Sequence, residues 1–219
     1  MVFQTHLLLK ALPILAEAMR LNVELAAAII VIAIVVSTGV TIVRSFKSPP
    51  VNIVIDAVIS IVRGTPLLIL IFACYYGLPA IGLNLNPVAA GIVAIACNSA
   101  IFLSEAMRAG LGTIDPGQVE AATALALPPR GIWLRVVLPQ MFRQILPILT
   151  AEATIVVKAT ALLSVITVVD VLRTAQQMAS ASYRPFENLL AAAIVFLVVN
   201  LVVAAAGHML EGRFAAGRI

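Results

Sequence analysis

The chain has 219 residues, 62% of them hydrophobic and 11% charged, with a mean hydropathy of +1.11 and a formal net charge of +4. A water-soluble domain of this length needs far more polar surface to cover its core, so the composition excludes that class and suits a body whose outer surface meets lipid. The basic residues are scattered between apolar runs with few aromatics, which argues against a nucleic-acid partner and for loops flanking membrane spans.

The first 20 residues, MVFQTHLLLKALPILAEAMR, lack a basic leading region, and Lys10 and Pro13 interrupt their apolar stretch. No cleavable signal is expected there; the segment reads as an amphipathic helix lying on the membrane surface. Five later stretches are long and apolar enough to cross a bilayer, at about 20 residues per crossing. They cover residues 22–43, 53–76, 87–107, 144–169 and 189–209, the second being interrupted at Arg63-Gly64-Thr65-Pro66. With the N-terminus outside, Arg44, Lys47, Arg108, Arg130, Arg135, Arg143, Arg213 and Arg218 fall on the cytoplasmic side. Lys10, Arg20, Arg173 and Arg184 fall outside. Eight against four sets the orientation as N-out and C-in, and the uncharged outer loop 77–86 agrees. The expectation is one all-α, polytopic membrane domain over residues 1–219 with five transmembrane helices. No internal repeat of the kind found in self-contained transporters is visible.

The loop between the third and fourth spans, residues 108–143, far exceeds a minimal connection. Asp115-Pro116-Gly117 reads as a turn, the following VEAATALAL as a short helix stopped by Pro128-Pro129, and GIWLRVVLP as a second short helix ending near Pro139. The small side chains make either a docking surface for a partner or a helix resting on the lipid. Farther on, 170–187 has a polar, helical composition closed by Pro185 and reads as an outer surface for a partner.

Glu120-Ala121-Ala122, with Leu138-Pro139 downstream, resembles the EAA motif of bacterial ABC importer permeases. Arg63-Gly64-Thr65-Pro66-Leu67-Leu68, Asn98-Ser99-Ala100 through Arg108-Ala109-Gly110, Ile114-Asp115-Pro116-Gly117-Gln118 and Lys158-Ala159-Thr160-Ala161-Leu162 resemble the polar amino acid branch of that family. The resemblance runs from about residue 20 to the end. It implies a MetI-like type I importer permease fold in the bacterial inner membrane and a function in amino-acid import by alternating access. It also implies three kinds of partner: a second permease subunit, identical or homologous; cytoplasmic ATPase subunits docked on the loop at Glu120, Ala121, Ala122, Ala126, Leu138 and Pro139; and an extracytoplasmic binding protein. No glycine in the chain starts a GxxxxGK[ST] phosphate loop, so ATP and Mg are expected on the ATPase partner and no cofactor on this chain. Ala126 stands where the family usually has glycine. Alanine is small enough for close approach, so docking is expected to survive. Ala159 stands where many relatives have aspartate.

Ionisable groups within a span cost about 2.5–3.5 kcal/mol each on insertion scales, which marks Glu152 and Lys158 as functional candidates. Six residues place them about 120° apart on a helix, so they do not pair with each other. Glu152 is read either as a ligand for a substrate amino group or as an interhelical hydrogen-bonding group. Lys158 is read either as a ligand for a carboxylate or as the partner of an acid on a neighbouring helix. By family resemblance Asn98 lines the pathway; the alternative is a hydrogen bond between helices. Thr160 and Ser164, four apart and on one helical face, serve packing or substrate contact. Two ion pairs, Glu105–Arg108 and Asp56–Arg63, are expected near the cytoplasmic face. Cys74 and Cys97 have no metal or redox spacing, and no nucleophile–base pair or metal cluster suggests an intramembrane enzyme.

Overall fold

A computed structural model describes residues 3–46 and 48–215; Lys47 and Arg218, used above to set orientation, lie outside the described residues. All secondary structure among those residues is helical, with no strand. The helices are α1 (Thr5–Ser45), α2 (Pro49–Gly64), α3 (Leu67–Phe72), α4 (Pro87–Leu111), α5 (Pro116–Ala124), α6 (Pro129–Ile132), α7 (Leu138–Ala159), α8 (Val171–Ser182) and α9 (Pro185–Ala215).

The first correction concerns the N-terminal segment. Instead of lying on the membrane, it continues the first span outward as one 41-residue helix. At 1.5 Å per residue α1 is about 61 Å long, roughly twice the hydrocarbon thickness. Its outer half is not left to the lipid surface, because α8 and the start of α9 give its apolar face a partner. Ala11, Leu15 and Met19 are buried against Val171, Ala175, Ala191 and Ala192. Pro13 stays inside the helix, removing one ladder bond without ending it.

The second stretch is a broken span. Pro66 has no N–H to donate and forces Thr65 into an extended conformation (φ −105°, ψ 129°), so α2 and the helical segment after it meet at a 110° bend. Four helices are long and apolar enough to cross a membrane, five if this bent pair makes one crossing. Ile53, Val54 and Ile61 on α2 are exposed, as suits a helix bathed in lipid.

The second correction lies after the long loop. The expected second short helix does not end at Pro139. Instead α6 passes through a π turn, Trp133–Val137, directly into α7. The wider π geometry accommodates a proline that contributes no N–H to the ladder. At its far end α7 tightens into a 3-10 segment, Thr160–Ile166, and stops at Thr167, a β-branched residue in the left-handed region (φ 73°).

Between helices in lipid the hydrophobic effect is weak, and close packing at small residues takes its place. Gly91 of α4 lets Leu163 lie against its backbone, and Gly207 of α9 does the same for Thr150 of α7; a methyl at either glycine would collide with those side chains. The central core joins Leu25 and Ile29 of α1, Ile71 of α3, Ile95 of α4, and Val156 and Leu163. At the cytoplasmic end Arg44 ties three helices together. Its guanidinium donates to Glu105 (2.9 Å) and to Asp56 (2.6 Å), while Arg108 donates to the other Glu105 oxygen at 2.9 Å. The expected Glu105–Arg108 pair is present. Asp56 pairs with Arg44 rather than Arg63, which stands seven residues, or about two turns, farther along the same helix.

Candidate functional site

The five candidate residues of the spans separate into two groups. Lys158 is exposed on the flank of α7 and Asn98 is half-buried on α4. Lys158 makes no salt bridge and Asn98 no hydrogen bond among the described residues. Glu152, Thr160 and Ser164 are buried inside the subunit, each less than 5% exposed. Glu152 is buried on the side of α7 that faces α4, close to the equally buried Ser99. Ala159, seven residues on, shares that inward side and packs in the central core. Thr160 and Ser164 do not share a helical face. They lie on a 3-10 turn, where residues three apart align, and the aligned set is Thr160, Leu163 and Ile166, all fully buried. The Ser164 hydroxyl has no hydrogen-bond partner among the described residues.

Thr160 belongs to a buried polar knot that sequence reasoning did not find. The Asn22 side-chain amide donates to Thr160 Oγ1 (2.9 Å) and Asp170 Oδ2 (3.3 Å), and its oxygen accepts from the Val171 N–H (3.2 Å). Thr160 donates in turn to the Val157 carbonyl at 2.7 Å. Asp170 caps α8, its other oxygen accepting from the Arg173 N–H at 2.8 Å. Asn22, Thr160 and Asp170 are all 0% exposed, so every polar group in the knot depends on the others for its partner. The knot joins α1, the end of α7 and the start of α8, and it secures the strained turn at Thr167 between them. The available signal was an asparagine at the edge of an apolar run, which reads locally as a boundary.

In the cytoplasmic loop Asp115 is the N-cap of α5 rather than part of a free turn. Its Oδ1 accepts from the Gly117 N–H at 2.8 Å, and Pro116 takes the first helical position. The EAA motif is two-faced. Glu120 and Ala121 are exposed, and Glu120 makes no ion pair among the described residues, whereas Ala122 is 5% exposed and packs on Ile132 and Val137. Leu125, at the end of the same helix, is 77% exposed. Leu138 is half-buried and Pro139 exposed. Ala126 adopts a left-handed conformation (φ 55°). Its N–H bonds to the Thr123 carbonyl (2.9 Å) and the Leu127 N–H to the Ala122 carbonyl (3.2 Å), the two bonds of a Schellman cap. The residue at 126 is therefore constrained by its backbone conformation as well as by its size.

On the outer face α8 forms as expected, but Pro185 opens α9 rather than closing α8; Tyr183 makes the break, in the left-handed region. Arg173, Gln176, Gln177 and Ser180 line an open depression of about 620 Å³ there.

Broken and straight apolar helices, with a capped helix presented at the basic end of the bundle, define a polytopic membrane protein. Residues 29–216 match the family described as binding-protein-dependent transport system inner membrane component, and the chain belongs to that family: it is a permease subunit of an ATP-binding-cassette importer. The chain is 31% identical over 203 residues to the arginine transport system permease protein ArtQ of Bacillus subtilis (strain 168), covering 92% of this chain and 93% of that protein. It is 34% identical over 208 residues to the nopaline transport system permease protein NocM of Agrobacterium fabrum (strain C58), covering 90% and 86%. Its fold matches a chain in the crystal structure of an amino acid ABC transporter with histidines, with a TM-score of 0.86, 30% identity, and coverage of 97% of this chain and 100% of that one. The MetNI methionine ABC transporter, at 17% identity and a TM-score of 0.73, shares the fold.

Proposed function

We propose that this subunit lines half of an import pathway for an amino acid or an amino-acid derivative such as an opine, with Lys158 receiving the substrate carboxylate and Asn98 beside the same path. A second permease subunit, identical or homologous, completes the pathway. Cytoplasmic ATPase subunits, which hold ATP and Mg, dock on the exposed face of α5 at Glu120 and Ala121, and an extracytoplasmic binding protein delivers the substrate near α8. Glu152, Thr160 and Ser164 act from behind the wall, holding α7 and its 3-10 end in place.

The observation that carries this reading is Lys158, a cation exposed on the flank of a membrane-spanning helix and without an ion-pair partner among the described residues, whereas Glu152 of the same helix is buried. Such a group needs water or an anion in front of it, because facing hydrocarbon is costly. The names of the relatives, arginine and nopaline transporters, supply the carboxylate-bearing substrate class. The test uses the complex co-purified with its ATPase, with arginine, glutamine and nopaline as probes. The probe that stimulates ATP hydrolysis is then measured for direct binding without the binding protein. Loss of a charge-assisted contact in Lys158→Gln is expected to weaken that binding about 10- to 100-fold. Unchanged binding in this variant refutes the assignment, and a variant complex that separates into single permeases identifies Lys158 as an intersubunit contact instead.

A further inference from the structure

Two glutamines are left without a role by the reading above: Gln118, at the start of α5, and Gln140, at the base of α7. Gln140 Nε2 donates to Gln118 Oε1 at 2.6 Å and to the Val136 carbonyl at 2.9 Å. One turn farther along α7 the Gln144 side chain meets the Thr113 hydroxyl, just before α5. Gln140 and Gln144 are four residues apart on one face of α7, so the two contacts form successive rungs between the loop and that helix. Beneath them Ala122 packs on Ile132 and Val137.

The covalent route from α5 to α7 is less direct. It passes the left-handed Ala126, the Pro128-Pro129 pair, the single turn of α6 and the π turn at Trp133–Val137. Each interrupts the regular i→i−4 ladder that gives a helix its stiffness. The glutamine rungs enter α7 beyond all of them. From Gln140, twelve residues of α7, about 18 Å and continuous through Pro147, lead to Glu152, and eighteen residues, about 27 Å, lead to Lys158.

We infer that Gln118 and Gln140 are positioning residues for transport: their hydrogen bond makes α5 and α7 one mechanical body, so that motion imposed on α5 reaches Lys158 instead of dissipating in the π turn. The inference rests on the proposed docking of the ATPase at α5. Gln118 is exposed and Gln140 half-buried, so the pair is not part of the buried core.

The experiment uses the co-purified complex in proteoliposomes, reading substrate taken up per ATP hydrolysed. Gln118→Leu and Gln140→Leu are expected to keep ATP hydrolysis within twofold while uptake per ATP falls at least fivefold. The paired substitution Gln118→Glu with Gln140→Lys, which rebuilds the bond as an ion pair, is expected to restore uptake per ATP to within twofold. Full coupling in both leucine variants overturns the inference, as does a loss that the ion pair fails to restore, because general damage to the fold is not repaired by a charge pair. Ala121→Cys cross-linking to the ATPase tests docking separately. Cross-linking together with unimpaired leucine variants rejects the glutamine clasp alone, whereas absence of cross-linking rejects docking at α5 and the clasp with it.

Discussion

Replacing Ala126 by glycine should tighten the cytoplasmic helix. A residue with a Cβ in the left-handed region is strained by about 1–2 kcal/mol relative to its preferred conformations. Ala126 sits there at φ 55°, held by the Schellman bonds from its own N–H and that of Leu127. Glycine removes the strain but adds freedom to the opened chain, an offset of about 0.4–1 kcal/mol. The net gain is about 0.5–1 kcal/mol, or about a two- to fivefold smaller open fraction. Hydrogen exchange by mass spectrometry on the nanodisc-embedded complex reads this directly, as slower exchange at Ala126→Gly and Leu127 with no change in α9. Ala126→Val, which adds a β-branch in the same conformation, should speed exchange there severalfold. Equal rates in all three proteins would mean that the left-handed cap is not what limits opening of α5, and the reasoning fails.

Asn22→Leu should lower the stability of the detergent-solubilised complex by about 2–3 kcal/mol, seen as a lower thermal midpoint, because it strands the Val171 N–H and removes one Asp170 partner inside the buried knot. Gly207→Ala should be destabilising by about 1–3 kcal/mol through its collision with Thr150, and Thr150→Ala in the same chain should recover most of that loss in a double-mutant cycle. Arg44→Gln severs the link between Glu105 and Asp56 while leaving Arg108 in place. Proteolysis near the cytoplasmic end of α2 should accelerate, and a rate unchanged from the parent would show that α2 is held by packing alone.

The spans were legible because a membrane helix announces itself locally, by some twenty apolar residues in a row. The break in the second span was legible for the same reason, since Gly64 and Pro66 act on their own neighbours. The placement of residues 5–21 was not: whether an amphipathic segment rests on lipid or on protein depends on α8 and α9, about 150 residues away. Distance in sequence also hid the Asn22–Asp170 knot and gave Asp56 the wrong arginine. The face of the EAA motif could not be read from small side chains alone, because Ala121 and Ala122 differ only in what folds back beneath them. Thr160 and Ser164 fall out of line because α7, which keeps 3.6 residues per turn up to Ala159, narrows to three from Thr160 onward, and nothing in the local sequence announces that change.

The length of α1 carries one more consequence. Of its roughly 61 Å, the part from Asn22 inward is by itself long enough to cross the hydrocarbon; the outer turns, braced by α8 and the beginning of α9, form a stiff post about 25 Å long. A labelled probe attached near Leu9, which is 61% exposed, would ride on that post and report tilting of the whole outer rim without touching the transport path.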